Sequence, residues 1–195
     1  KIFTVGSSNQ LIEFKAANLE GFKAYLGTSS SFSTCLKGSK DDVTVSNLVN
    51  YIRGSDITGC RNRSFSIEED NVTNTYIWKL GDIIYSTPKV ESDYQYCYNG
   101  TTQKFTSTLC TTDAQCGSLL CKKKESVIFV GANDGMLHAF KTGILSKSGL
   151  TGKQAAKLEG TELGKELWAF IPKNVLPYLR CLTNSDYCHL SYVDL

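Results

Sequence analysis

Residues 126–140, SVIFVGANDGMLHAF, decide the fold. Two apolar runs flank Asn133-Asp134-Gly135, and Asp-Gly supplies the positive φ angles that a tight primed turn demands, so the segment is predicted as a β-hairpin. Upstream, KIFTV, the turn-rich GSSNQ and LIEF (1–14) predict a second hairpin, and downstream ELWAFIP (166–172) predicts a further strand. Only residues 41–54, DDVTVSNLVNYIRG, change period. Leu48 and Ile52 are four apart with Val49 beside them, Asp41, Asp42 or Ser46 can cap the start, and Gly54 stands where a glycine stops a helix. Residues 55–75 read as a polar loop. YIWKLGDIIYSTPKVE (76–91) returns to strand composition, with Pro88 limiting any central strand. KQAAKLEG (153–160) reads as a turn or two of helix, and PKNVLPYLR (172–180), with two prolines, as a short distorted one. The tail, CLTNSDYCHLSYVDL (181–195), is strand-like again.

Composition supports short strands and turns over a helical bundle: 16 Gly, 10 Tyr and 9 Phe stand against a single Met and two Trp. A net charge of +2 over 195 residues gives no reason to expect nucleic acid or an anionic membrane as partner. The basic run Lys122 to Lys124 reads as a solvated edge. No window holds the roughly 18 to 20 apolar residues that span a bilayer, and the N-terminus lacks the layout of a signal peptide, so the chain is expected to be mature, processed or excised. Three N-x-[ST] sequons begin at Asn62, Asn71 and Asn99; they mark glycan sites in a eukaryotic secreted protein and are chance in a bacterial one.

The eight cysteines carry the most information: Cys35, Cys60, Cys97, Cys110, Cys116, Cys121, Cys181 and Cys188. The middle four are spaced C-x12-C-x5-C-x4-C in a Thr-, Ser- and Gly-rich stretch, without a C-x-x-C knuckle or a neighbouring His. Disulfides fit better than zinc, and with them an oxidising compartment, periplasm or cell exterior. Proximity pairs the middle four among themselves, leaving Cys35 with Cys60 and Cys181 with Cys188. A segment of this size, residues 93–124, cannot hold a core by burial alone and is expected to need its bridges.

Four stretches in register resemble the C-terminal domain of PilY1-like type IV pilus proteins: LVNYIRG (48–54), LGDIIYSTPKV (80–90), VGANDGMLHAF (130–140) and GKELWAFIPKNVLPYLR (164–180). That resemblance implies a modified β-propeller acting in pilus assembly and surface attachment. The strand, turn, strand, Thr142-Gly143 and Trp168 order is also similar to quinoprotein-type propeller blades, with Lys141 where such blades usually carry Asp. The fold class implied is all-β with short helices: partial propeller blades at 1–92 and 125–195, interrupted by a disulfide-rich insertion at 93–124. Because a propeller closes with four to eight blades of about 40 to 50 residues, 195 residues predict an incomplete ring. Its edges would meet the remainder of the same propeller or another chain. Implied partners are minor pilins on one side and a host or abiotic surface ligand on the other, at the pilus tip outside the cell.

No catalytic, cofactor or metal site is expected within these residues. Family calcium loops alternate aspartates, and Asp41-Asp42 and Glu68-Glu69-Asp70 lack that spacing, so calcium is expected only outside the chain. Asn133 and Asp134 read as turn formers, His138 as a packed or surface residue, and Trp78 and Trp168 as core. His189 adjoins Cys188, which a disulfide would withhold from metal. Tyr94, Tyr96 and Tyr98 share one face of an extended strand, as an adhesive contact surface if exposed or as packing for the cysteine segment if covered. Two other functions stay open: a fragment of a quinone-cofactor dehydrogenase propeller, and a secreted cysteine-stapled ligand or inhibitor module.

Overall fold

The computed structural model describes residues 1–27, 35–36, 41–91, 94–146, 151–152, 156–187 and 190–193. Two compact units divide the chain: Lys1–Thr87 with Val130–His138 and Trp168–Leu195 form the first, Pro88–Phe129 with Ala139–Leu167 the second. Secondary structure is mostly β with short helical segments.

In the first unit, strands β1 (Ile2–Val5) and β2 (Leu11–Glu13) form the expected antiparallel pair, with Phe3 opposite Glu13 and Val5 opposite Leu11. Helix α1 spans Asp42–Ile52, and the Asp41 carboxylate accepts the Thr44 N–H at 2.8 Å as its N-cap. Val45, Leu48, Val49 and Ile52 fall at i, i+3, i+4 and i+7 and are buried, so one stripe of the helix faces the core. They pack with Phe14, Leu19, Phe22, Leu176 and Leu179, several of which lie on 3₁₀ turns at Ala16–Gly21 and Leu176–Thr183. The core of this unit therefore owes more to helical turns than to strands. PKNVLPYLR supplies the second of those turns, distorted as its prolines dictate.

Residues 55–75 are not a loop. They hold strand β3 (Ser64–Glu69) and the start of β4 (Val72–Ile77), paired from Ser64–Ile77 to Glu69–Val72. The turn is Asp70-Asn71, at φ of 51° and 62°. Asp and Asn tolerate the left-handed region, so a primed two-residue turn forms here without glycine. After Ile77 the strand composition of 78–88 gives no strand.

In the second unit, strands β5 (Lys89–Glu91), β6 (Gln95–Asn99), β7 (Lys104–Leu109) and β8 (Leu120–Lys123) cover the start of the segment. β6 lies between β7 and β8, antiparallel to both. β9 (Ser126–Gly131) pairs with β5, placing Val90 opposite Ile128, and its other neighbour is β10 (Leu137–Ser146). KQAAKLEG contradicts its helical reading at 157–159, where β11 (Lys157–Glu159) pairs antiparallel with Ile144–Ser146 of β10. Residues 153–155 lie outside the described residues. A strand wins because Gly143 and Gly160 (φ 82° and 141°) bring the two segments together backbone to backbone.

β12 (Glu166–Ile171) forms as expected, and its first-unit residues run parallel to β1, with Ile2 opposite Ala169 and Thr4 opposite Ile171. The tail carries no strand among its described residues. The β9–β10 turn also differs from the primed turn expected. Only Gly135 has positive φ (89°), the Gly135 N–H donates to Ala132 O, and Ala132 N–H donates to Met136 O at 3.0 Å. This is a three-residue loop, a type I turn closed by a left-handed glycine.

Candidate functional site

A concavity of the first unit, about 460 Å³, opens at the root of the β3–β4 hairpin. Its floor is Tyr51, from the last turn of α1. The Tyr51 hydroxyl lies 3.1 Å from Arg61 O and 3.0 Å from Leu182 O and donates to those carbonyls, fixing the ring. Arg63 lies over that ring, its guanidinium carbon 3.8 Å from the centroid, and its Nη2 donates to Tyr51 O (2.7 Å) and Ser55 O (3.2 Å). Burial pulls the Arg63 guanidinium below its usual range, with nearby Tyr51 and Asp56 opposing the shift. Its Nε is buried without a hydrogen-bond partner. Arg61 stacks on Tyr187, 4.6 Å from the ring centroid, and Lys79 runs along Gly54.

None of these three cations forms an ion pair with a carboxylate among the described residues. Asp134, which also lines the cavity, is committed elsewhere: its Oδ2 accepts the Gly81 N–H at 2.9 Å, its Oδ1 the Met136 N–H at 3.1 Å, and both lie 3.0–3.1 Å from His138 Nε2. Asp134 and His138 are both buried, so the turn-former reading of Asp134 holds for the backbone and misses the carboxylate's second role. Asn133 N–H donates to Asp82 O at 3.0 Å, completing a clasp between residues 80–82 and the β9–β10 turn.

Gly81 is required by that clasp. A Cβ there would meet the Asp134 nitrogen and come to 2.8 Å from the Asn133 carbonyl carbon, both backbone atoms. Gly81→Ala is expected to cost about 2 kcal/mol by forcing the two segments apart. An unfolding midpoint unchanged from the parent, with the His138 ring resonance unmoved, would show that the approach is not needed.

Trp78 departs from its core assignment. It is 64% exposed at the cavity rim and meets Phe65 in a tilted pair at 5.7 Å between centroids, while Phe65 in turn meets Tyr76 at 5.8 Å. Phe65, Ile67, Val72 and Tyr76 share one face of the two-stranded hairpin, which leaves this apolar face partly open. The other tryptophan, Trp168, is half-buried on β12. Arg61, Arg63 and Lys79 went unnoticed in the sequence because they are dispersed and lie in no motif.

Among the described residues three disulfides close: Cys35–Cys60, Cys97–Cys116 and Cys110–Cys121. The middle four cysteines thus pair among themselves, in an interleaved pattern. The Sγ atoms of Cys97, Cys110 and Cys116 lie within 4.8 Å of one another, and their bridges leave no thiolate to bind metal. Cys181 is buried and unbridged among the described residues, and burial pushes its thiol up. The expected partner Cys188, like His189, lies outside them.

Of the tyrosine stripe, Tyr94 is 56% exposed and precedes β6. Tyr96 and Tyr98 are half-buried beneath Lys124 and Lys122, whose ammonium groups lie 5.8 and 4.4 Å from the ring centroids, and Tyr98 meets Phe105 at 4.9 Å. The lysine run is therefore packed on tyrosines at its first and third positions.

Comparison with known proteins adds the decisive observation. A type IV pilus biogenesis factor PilY1 homolog of Xylella fastidiosa is 32% identical over 154 residues, covering 75% of this chain. The chain is PilY1-like. A second PilY1 homolog of the same organism is 40% identical over 67 residues, 34% of this PilY1-like chain. The chain spans only 10% and 3% of the length of these curated relatives. No protein-family model matches it, and no solved structure does. Among the described residues, no helix is long and apolar enough to cross a membrane.

Proposed function

We propose that this chain is part of a type IV pilus-associated protein, a binding and assembly module that works by non-covalent contact. The observation that carries this reading is the 32% identity to a pilus biogenesis factor across three quarters of the chain. Three disulfides support it, because such bridges persist in oxidising compartments and fit a protein exposed at the cell surface. In this reading β9, β10 and β12 are strands of a propeller blade, and other polypeptide completes the ring. Minor pilins occupy the cell-proximal side, and a host or abiotic surface is met on the other, with exposed Tyr94 among the contact residues.

The test is fractionation of the source organism after pili are sheared from its cells. Antibody against this chain is expected to find it enriched in the pilus fraction, with Cys97, Cys110, Cys116 and Cys121 inaccessible to a thiol-alkylating reagent until reduction. Recovery in the cytosol alone, with those cysteines alkylated at once, would sink the proposal.

A further inference from the structure

We infer that the cavity at the hairpin root binds a carboxylate-bearing sugar, with Arg61 and Lys79 taking the carboxylate and Trp78 stacking on the pyranose ring. Three observations converge. The cavity volume of about 460 Å³ is in the range of small-ligand sites and holds one or two sugar rings rather than a folded partner. Its cations outnumber its acids: Arg61, Arg63 and Lys79 face Asp82 and Asp134, and Asp134 already accepts two backbone N–H groups and the His138 ring. A carboxylate entering here would gain charge-assisted hydrogen bonds that no carboxylate among the described residues supplies to these three cations.

The aromatic rim distinguishes a sugar from a bare anion. Trp78 is 64% exposed with the Phe65 ring centroid 5.7 Å away, so it offers an apolar face at the mouth, and the Tyr187 ring backs the Arg61 guanidinium. A pyranose has one C–H face to lay on such a ring and hydroxyls on its edge for Asn62 and Asp82, which also line the cavity. An anion without a ring leaves Trp78 unused. An acidic peptide presents its carboxylates on flexible stems with no flat face behind them.

The inference concerns the purified chain alone and does not depend on pilus placement, so its failure and the failure of the pilus reading are separable. Tryptophan emission of the folded chain is titrated with sodium glucuronate, and with glucose, sodium sulfate and a glutamate-rich peptide as matched probes. Glucuronate is expected to give a saturable change with a half-point in the millimolar range, and glucose a response at least about tenfold weaker. Arg61→Ala and Lys79→Ala, each with an unchanged unfolding midpoint, are expected to weaken glucuronate about tenfold, and Trp78→Phe to abolish the signal. The inference is overturned by no saturable response below about 50 mM glucuronate, or by sulfate or the peptide binding as well as glucuronate. It is equally overturned by undiminished binding in both folded cation variants.

Discussion

Replacing Cys97, Cys110, Cys116 and Cys121 together by serine is expected to unfold the β6–β7–β8 sheet while α1 stays folded. The reason is how little that part of the second unit buries. Among the described residues of that unit the buried apolar side chains are Cys97, Cys110 and Ala139, and two of these are half-cystines. β7 is exposed along its whole length, so the face that Tyr96 and Tyr98 share with Phe105 and Leu109 is largely open to solvent. A three-stranded sheet without a packed face does not stand alone in water. The bridges span 19 and 11 residues of sequence, and closing loops of that size stabilises by about 3 kcal/mol each through the unfolded chain. The lysine–tyrosine contacts on β6 are partly solvated and offset well under half of that loss. Amide hydrogen exchange decides the matter: β6 amides should exchange at the rate of an open chain in the quadruple serine variant, with Val45 to Ile52 still protected. Protected β6 amides would mean that strand pairing alone holds the segment. In a reducing compartment the parent chain is expected to lose the same sheet.

Elements whose signals are local were legible from sequence. The β1–β2 and β9–β10 hairpins and α1 each carry their own turn or cap; proximity confines the pairing of the middle four cysteines to that segment, and only the fold shows that the two bridges interleave. The β3–β4 hairpin escaped because its turn, Asp70-Asn71, has no glycine and its strands alternate Phe65 and Ile67 with Ser and Glu, which reads as polar when averaged. Period-2 alternation counted position by position would have found it. β11 escaped for a different reason: Lys, Ala, Leu and Glu favour helix, and the pairing with β10 that overrides them lies a dozen residues away in sequence. The cavity was the least legible feature. It assembles residues 51, 61–63, 78–82, 133–134, 182 and 187, none of which signals the others, and only the folded first unit shows that its cations form no ion pair with a carboxylate among the described residues. Trp78 belongs to the same class, since a lone Trp in strand-like sequence is ordinarily core and this one is exposed beside the partly open apolar face of the hairpin.

Asp134→Ala is expected to be the most damaging single change in the first unit. The side chain is 6% exposed, and its two oxygens take the Gly81 and Met136 N–H groups and the His138 Nε2–H. Truncation strands three donors, the Met136 N–H and His138 ring buried and the Gly81 N–H partly so, and an unsatisfied buried donor costs about 1 to 3 kcal/mol. Allowing for relaxation, the total is about 3 to 5 kcal/mol, a large share of the stability of a domain this size. Asp134→Asn separates charge from shape. Its oxygen still accepts one backbone N–H while its amide nitrogen faces a second donor, so it should lose about half as much, with the difference reporting the imidazole contact. Urea unfolding midpoints of the two variants check this. Equal losses would mean that Asp134 acts by shape alone, and a loss below about 1 kcal/mol in the alanine variant would mean that the turn is held by its backbone bonds. Because Asp134 grips Gly81, and Gly81 follows the Trp78-Lys79 segment by two residues, the same variant should also loosen the cavity rim. Its effect on sugar binding is then expected to follow its effect on stability, whereas Arg61→Ala should reduce binding without touching the midpoint.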